Sequence, residues 1–143
     1  MNSYLVDVNV WLALLVRQHP HHAVTREWYR VLAAGAAGMC RITQLGIIRL
    51  MGTANVMQGE AIPAAQAWLS VQELLGDERV EFLEESAGIN TVLPGLFRYR
   101  VPTPALVTDA YLAAFAIASR RRFVTRDRGF QQFRGLEVEI LGD

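Results

Sequence analysis

Short apolar runs alternate with longer segments of helical periodicity along most of this chain. Five runs are predicted to be strands, at residues 4–6, 39–42, 79–83, 121–125 and 136–141. Helices are predicted between them, at 10–17, from about 21 to the glycines at 35 and 38, from about 43 to 52, and at 64–75, 86–97 and 109–120. Such alternation is typical of a mostly parallel sheet with helices on both faces. We therefore expect an α/β fold, with 136–141 as an edge strand whose Glu137 and Glu139 point outward.

Length and composition indicate one globular domain spanning residues 1–143. That length can bury a substantial core, and a composition of 52% hydrophobic and 20% charged residues argues against disorder. No basic segment precedes the first apolar run and no long uncharged apolar stretch occurs, so we expect neither a signal peptide nor a membrane span. Cys40 is the only cysteine, which excludes an internal disulfide framework and favours a cytoplasmic location.

All 14 basic residues are arginines, and 14 acidic residues balance them. A net charge of zero does not by itself indicate a nucleic-acid-binding protein. The lack of lysine excludes two classes, because P-loop ATPases use a lysine on the phosphates and Schiff-base enzymes use a lysine amine. Receiver-type signalling domains, which place a lysine near the phosphorylated aspartate, are strongly disfavoured for the same reason.

Three aspartates occupy similar places relative to the predicted elements. Asp7 directly follows the first strand, and Asp127 closely follows the strand at 121–125. Asp109 is predicted to open the most apolar helix of the chain, with Thr108 as its N-cap. In a parallel α/β sheet, ligands bind outside the carboxyl ends of the strands. We therefore expect the three carboxylates to converge at one edge of the sheet.

Each of these aspartates could instead act only as a helix cap, because Asp is favoured at helix N-termini. Three converging carboxylates, however, repel one another and cannot all stay ionised without a cation. Oxygen ligands of this kind suit Mg²⁺ or Mn²⁺, which can polarise a phosphate and activate a water molecule. We therefore predict that Asp7, Asp109 and Asp127 are catalytic residues associated with a metal.

Two arginines flank the last of these aspartates. Arg126 and Arg128 could contact RNA phosphates beside the metal, since guanidinium groups pair well with phosphate oxygens. A solvated surface turn would also accommodate them, and the sequence leaves both interpretations open.

Three stretches of the chain resemble one known family. They are "YLVDVNVWLAL" at 4–14, "CRITQLGIIRLM" at 40–51 and "VTDAYLAAFAIASRRRFVTRDRGF" at 107–130. Together they are similar to the PIN-domain ribonucleases, specifically the VapC toxins of toxin–antitoxin pairs, from end to end of the chain. The last stretch is the most specific, because an Asp opens an apolar helix and "VTRD" follows that helix.

The resemblance implies a PIN-like three-layer α/β/α fold with a small, mostly parallel sheet. It also implies a homodimer that binds Mg²⁺ or Mn²⁺, cleaves a structured RNA such as tRNA or rRNA, and is inhibited by a cognate VapB-like antitoxin. By this resemblance Asp7 and Asp109 match the metal ligands, and Asp127 matches a later acidic position. Asn9 and Thr125 match polar residues that support the acidic site.

One departure from the family pattern concerns the helix after the second strand. Many PIN domains carry a glutamate there, but this chain has "TQLGIIRLM", with Gly46 at the aligned position. No acid occurs between Glu27 and Glu60, and Gln44 could supply a neutral oxygen nearby. We therefore expect three acids, with either weaker metal affinity or a different second metal site, which leaves open whether one or two metals act.

Two functions remain open on the sequence alone. The first is a metal-dependent endoribonuclease toxin. The second is a PIN-like module that has lost catalysis and only binds RNA or protein, an alternative supported mainly by the missing glutamate. RNA cleavage that requires added Mg²⁺ or Mn²⁺ and stops with EDTA separates the two.

Overall fold

The computed structural model describes residues 2–53, 56–57, 59–98 and 100–142. Its strands are β1 (Tyr4–Val6), β2 (Ala37–Met39), β3 (Val80–Phe82), β4 (Arg122–Thr125) and β5 (Val138–Ile140). Its helices are α1 (Val8–Leu15), α2 (His22–Arg30), α3 (Arg41–Met51), α4 (Ala64–Leu75), α5 (Ile89–Phe97) and α6 (Pro104–Ser119), followed by a 3₁₀ helix (Arg128–Gln132). The predicted alternation of strands and helices is confirmed, with shifts at several boundaries.

The five strands form one sheet in the order β3-β2-β1-β4-β5, and every neighbouring pair is parallel. β1 lies in the centre, with Tyr4 opposite Ala37 of β2 and Arg122 of β4. From β1 the chain first adds β2 and β3 on one side of the sheet and then adds β4 and β5 on the other side. The strand order therefore reverses between β1 and β4. In open α/β sheets the carboxyl ends of the strands at such a reversal border the ligand-binding crevice.

Helices cover both faces of the sheet, as the predicted α/β/α arrangement requires. Side chains alternate along β1, so Tyr4 and Val6 pack in one layer while Leu5 packs in the other. The first layer contains α1 to α4 and the fully buried Trp11, and the second contains α5, α6 and Phe123 of β4. Within the described ranges, no helix is both long enough and apolar enough to cross a membrane.

The helix that carries Asp109 begins earlier than the sequence predicts. α6 starts at Pro104, because the Thr103 hydroxyl oxygen accepts a hydrogen bond from Leu106 N at 3.0 Å and so caps the helix. Proline suits the first turn, where its missing N–H is not needed. The prediction that Thr108 is the N-cap is therefore wrong, and Asp109 lies in the second turn of α6.

The second strand and the helix that follows it also begin earlier than predicted. β2 ends at Met39, so Arg41 and Ile42, which were predicted to be strand, form the first turn of α3. Thr43 is the third residue of α3 and not its N-cap. Its hydroxyl accepts a hydrogen bond from Cys40 N at 3.0 Å and donates one to Cys40 O at 2.9 Å, which fixes the helix start at Cys40.

β5 is an edge strand as predicted, but Glu139, one of the two glutamates predicted to point outward, does not. The Glu139 carboxylate accepts a hydrogen bond from the Tyr4 hydroxyl at 3.2 Å and lies 3.7 Å from Arg122 Nη1. Glu137 is exposed, as expected. A partly buried charge on an edge strand discourages pairing with a strand of another molecule.

Gly38, which was predicted to end the second helix, lies in the middle of β2. The position leaves no room for a side chain, since a Cβ atom there would lie 2.5 Å from Tyr4 O and 2.5 Å from Leu83 Cδ1. Tyr4 O belongs to the main chain of β1 and cannot retreat without disturbing the sheet. Gly38 therefore permits the close approach of these elements.

We predict that Gly38→Ala lowers the free energy of unfolding by about 2 kcal/mol, the usual cost of overpacking a core. Gly95→Ala is the matched control, because a Cβ atom at this exposed helical position meets no neighbour within 4 Å. It should raise stability by up to about 1 kcal/mol through backbone entropy. Urea denaturation measures both, and equal midpoints for the two variants would contradict the packing argument.

Candidate active site

Asp7 lies at the carboxyl end of the central strand and is both a helix cap and a buried acid. α1 begins at Val8, two residues earlier than predicted, because Asp7 Oδ1 accepts a hydrogen bond from Val8 N at 2.8 Å. Asp7 is only 8% exposed, and this burial is the main cause that raises its pKa to about 6. Aspartates are seldom buried unless they are paired, so capping alone does not account for this position.

The hydroxyl of Thr125, at the end of β4, holds the second oxygen of Asp7. It donates a hydrogen bond to Asp7 Oδ2 at 2.6 Å and accepts from Asn9 Nδ2 at 3.4 Å and Asp127 N at 3.0 Å. A hydroxyl has one donor and two acceptor sites, so the hydrogen-bonding capacity of Thr125 is fully used. Asn9 Oδ1 also accepts from Arg126 N at 3.3 Å, which ties the start of α1 to the end of β4.

Asp109 and Asp127 complete an acidic crevice with Asp7. Asp109 is half-buried, and its pKa is raised first by burial and then by the charge of Asp127. The charges of Asp109 and Asp127 also raise the pKa of Asp7, so the three carboxylates act on one another electrostatically. Asp127 is exposed and caps the 3₁₀ helix through a 2.8 Å hydrogen bond from Gly129 N to its Oδ1.

Two of these carboxylates have no basic partner in the part of the chain that the structure describes, since neither Asp7 nor Asp109 forms an ion pair with an arginine or histidine there. The oxygen donors around Asp7 suit Mg²⁺ or Mn²⁺, and a cation there would offset the repulsion among the acids. The described residues provide no cluster of three or more Asp, Glu, His or Cys side chains able to hold a metal by themselves. A metal in the crevice would therefore retain water ligands, as Mg²⁺ commonly does.

A cavity of about 480 Å³ opens beside Asp109, and the sequence analysis did not predict its polar residues. Arg100, Thr103 and Gln132 line it together with Asp109. The Arg100 guanidinium donates to the side-chain oxygen of Gln132 and to its main-chain oxygen (3.1 Å), and lies 5.5 Å from the centre of the Phe133 ring. No spacing in the sequence links these residues, because two separate loops bring them to the start of α6.

Two residues of α3 are placed differently from what the sequence suggested. Gln44 is buried, but its side-chain oxygen accepts a hydrogen bond from the Arg41 guanidinium, and no described hydrogen bond joins it to Asp7. Gly46 packs against α1, where a Cβ atom would lie 2.8 Å from Val8 Cγ2. Since Val8 follows Asp7 directly, Gly46 is close to the acidic crevice, but the space for a side chain is already filled.

The two arginines that flank Asp127 differ in their surroundings. The charge of Arg126 lowers the pKa of His19, after the larger effect of burial, so the Arg126 side chain lies near His19. Its Nε atom is buried and has no hydrogen-bond partner among the described residues. Arg128 is exposed at the start of the 3₁₀ helix. Contact of either residue with RNA phosphates stays a prediction.

Comparison with known proteins identifies the family to which this geometry belongs. A family model described as the PIN domain matches residues 4–136. Ribonuclease VapC41 of Mycobacterium tuberculosis is 33% identical over 142 residues, an alignment that covers 96% of this chain and 97% of that protein.

Solved structures share the fold. VapBC2 from Rickettsia felis, bound to a promoter DNA fragment, gives a TM-score of 0.68 at 14% identity, covering 97% of this chain and 98% of that chain. VapC20 of Mycobacterium tuberculosis, described as a Sarcin-Ricin loop cleaving toxin, gives a TM-score of 0.65 at 14% identity. That alignment covers 94% of this chain and 99% of that chain. Identities this low support the fold alone, whereas the PIN match and the VapC41 alignment run along nearly the whole sequence. The chain therefore belongs to the PIN-domain family, among the VapC ribonucleases.

Proposed function

We propose that this protein is the endoribonuclease toxin of a toxin–antitoxin pair and that it cleaves structured RNA with the help of Mg²⁺ or Mn²⁺. The observation that carries the metal-dependent part is the state of Asp7. Its carboxylate is buried, has a pKa raised to about 6, and is acted on by two further aspartates. Such a charge is costly in the free protein, and the cost falls when a cation is bound.

In this proposal Asp7 and Asp109 hold the metal. A divalent cation held there would supply Lewis-acid chemistry, in which a phosphate is polarised and the pKa of a bound water molecule is lowered. Thr125 and the Val8 amide fix both oxygens of Asp7, so little rearrangement is needed on binding. Asn9 supports this arrangement through its hydrogen bond to the Thr125 hydroxyl.

Asp127 has a different part in the proposed reaction. Its Oδ1 is engaged by Gly129 N, which leaves Oδ2 available to accept a hydrogen bond from a water molecule in the crevice. Gln44 supplies a buried polar group on the neighbouring helix but is already bonded to Arg41.

The proposed partners are RNA, a VapB-like antitoxin and a second copy of this chain. The ribonuclease name of VapC41 and the description of VapC20 as a Sarcin-Ricin loop cleaving toxin support a structured RNA substrate, such as rRNA or tRNA. The VapBC2 structure, in which a VapC toxin occurs with its VapB partner, supports an antitoxin. The homodimer rests on the family resemblance.

A PIN-like module without catalysis is the second candidate, and Gly46 favours it. The position has neither an acid nor room for one beside Val8, so a fourth carboxylate is missing from this helix. Incubation of purified protein with total RNA in Mg²⁺, Mn²⁺ or EDTA, followed by sequencing of the new RNA ends, separates the candidates. Discrete ends that form only with a divalent cation support the nuclease, and an unchanged RNA pool in all three conditions supports the binding module.

We predict that Asp7→Asn lowers the rate of RNA cleavage by roughly 100-fold or more, because the charge that holds the cation is lost while the shape is kept. Glu73→Gln is the matched control, since it removes one negative charge from an exposed position on α4. Single-turnover cleavage at saturating Mg²⁺ measures both variants. Wild-type rates for Asp7→Asn would exclude the assigned role.

We also predict that Asp7→Asn stabilises the metal-free protein at pH 7 by up to about 3 kcal/mol. The folded-state pKa of Asp7 is raised from 3.8 to about 6, so wild-type stability falls as the pH rises through this window. The asparagine variant does not titrate there, and the difference between the two proteins should grow from pH 4 to pH 7. Urea denaturation in EDTA measures it, and a constant difference across this range would contradict the assignment.

The antitoxin is predicted to place a basic side chain near Asp7, Asp109 and Asp127. A guanidinium can replace the metal by bidentate pairing with a carboxylate. Co-expression with the product of the adjacent upstream reading frame should give a stable, inactive complex. Asp109→Asn should weaken that complex by about 1.5–3 kcal/mol, the usual contribution of a hydrogen bond to a charged group. Full nuclease activity of the toxin in the presence of that product would count against this prediction.

A further inference from the structure

A second cavity, of about 460 Å³, lies at the end of α1 that is remote from Asp7. Two leucines at the end of α1 form part of its wall. Its remaining lining residues carry positive charge or a ring: Arg17, His22, Arg26, Tyr29, Arg30 and Arg79. The volume falls within the range of small-ligand sites. Four arginines around one cavity are unexpected in a chain whose net charge is zero.

The charges around this arginine-lined cavity do not cancel. Arg79 forms a two-point ion pair with Asp77, with Nε–Oδ1 at 2.9 Å and Nη2–Oδ2 at 2.7 Å. Arg30 pairs with Glu27 at 3.1 Å on the surface of α2. The other two arginines, at positions 17 and 26, are exposed and form no ion pair with any residue in the described ranges. Two positive charges therefore remain available to a ligand.

The hydroxyl of Tyr29 provides an independent indication of a ligand. Tyr29 is 7% exposed, and its hydroxyl has no hydrogen-bond partner among the described residues. Buried polar groups are almost always hydrogen-bonded, so an exception calls for an explanation such as an absent ligand. Burial, the nearby Asp77 charge and an interaction of the hydroxyl with the Asp77 carboxylate raise the pKa of Tyr29 to about 12, so the hydroxyl stays protonated. That interaction does not reach the geometry of a hydrogen bond among the described residues, so the hydroxyl can still donate to a ligand. Arg79 lies over the Tyr29 ring at 4.3 Å and fixes one wall of the cavity.

We propose that the arginine-lined cavity binds a backbone phosphate of the RNA substrate and so anchors the RNA away from the cleavage site. A phosphate carries enough acceptor oxygens to receive hydrogen bonds from Arg17, Arg26 and the Tyr29 hydroxyl at once. Guanidinium groups are well suited to this task because their donors match phosphate geometry. The anchor rests on the proposed ribonuclease function and adds a substrate-binding site to it.

The position of the cavity sets the minimum length of RNA that can use it. α1 has eight residues, so its far end lies about 12 Å from Asp7 along the helix axis. An RNA must span at least this distance to contact the cavity and the acidic crevice at once, so the anchor favours long or structured RNA.

The test measures RNA binding in an Asp7→Asn background, in which cleavage is suppressed. Arg17→Gln/Arg26→Gln is compared with Arg49→Gln/Arg120→Gln, which removes the same charge from exposed positions outside the cavity. For a stem–loop RNA of about 30 nucleotides, the first pair should lose about tenfold in affinity. For the first pair, the slope of log K for RNA binding against log salt concentration should also be smaller in magnitude, by roughly 1.5–2, than for the control pair.

The Tyr29→Phe variant separates a ligand-binding role of this hydroxyl from a purely structural one. The free protein should be at least as stable as wild type, because the lost hydroxyl makes no described hydrogen bond. Affinity for the stem–loop should nevertheless fall about threefold. A less stable variant with unchanged RNA affinity would overturn the assignment of this hydroxyl and count against the anchor.

Equal affinities and equal salt slopes for the two arginine pairs would overturn the anchor. So would a loss of antitoxin binding without any loss of RNA binding, because the cavity would then serve an acidic protein segment. Cleavage of the same stem–loop by the wild-type protein in Mg²⁺ is measured in parallel. If the wild-type protein cleaves the RNA but the two arginine pairs bind it with equal affinity, only the proposed phosphate anchor is overturned. If the wild-type protein neither cleaves nor binds the RNA, the proposed function is overturned as well.

Discussion

The hydrogen bond between Thr125 and Asp7 is the contact on which the site depends. It joins the ends of β1 and β4 where the strand order of the sheet reverses, and it is short, at 2.6 Å. The same hydroxyl also accepts hydrogen bonds from the Asn9 side chain and the Asp127 amide, so one oxygen joins the segment 7–9 to the segment 125–127. A valine here would preserve the β-strand but would leave the buried Asp7 oxygen without a partner.

The acidic crevice shows how a fold can carry a destabilising group. Burial raises the pKa of Asp7, and neighbouring aspartates raise it further, while hydrogen bonds from Thr125 and Val8 act in the opposite direction. These hydrogen bonds keep the carboxylate in place without removing its charge. Under the proposed function, binding of a cation would recover the free energy lost in the metal-free protein, so stability and metal binding would be coupled at this site.

Much of the fold and the acidic crevice could be predicted from the sequence, for identifiable physical reasons. Strand ends followed by Asp7 and Asp127 lie at one sheet edge in any parallel α/β arrangement, so their proximity follows from topology. The N-caps of α3 and α6 were harder to predict from the sequence. Thr43 and Thr108 are of a residue type that favours N-caps but lie inside these helices, whereas the actual N-caps are Cys40 and Thr103. The cavities were not predicted, since each depends on the packing of separate elements: Gln132 of the 3₁₀ helix beside the start of α6, and Arg79 beside α1 and α2.

The contact between Gly46 and Val8 constrains how this sequence can change over evolutionary time. A glutamate at position 46 would place its Cβ atom 2.8 Å from Val8 Cγ2, so the Val8 side chain would have to shift. A smaller residue at position 8 would relieve this contact, but without the glutamate it would leave a void between α1 and α3. We therefore expect the two positions to be epistatic, because the effect of a change at one depends on the residue at the other.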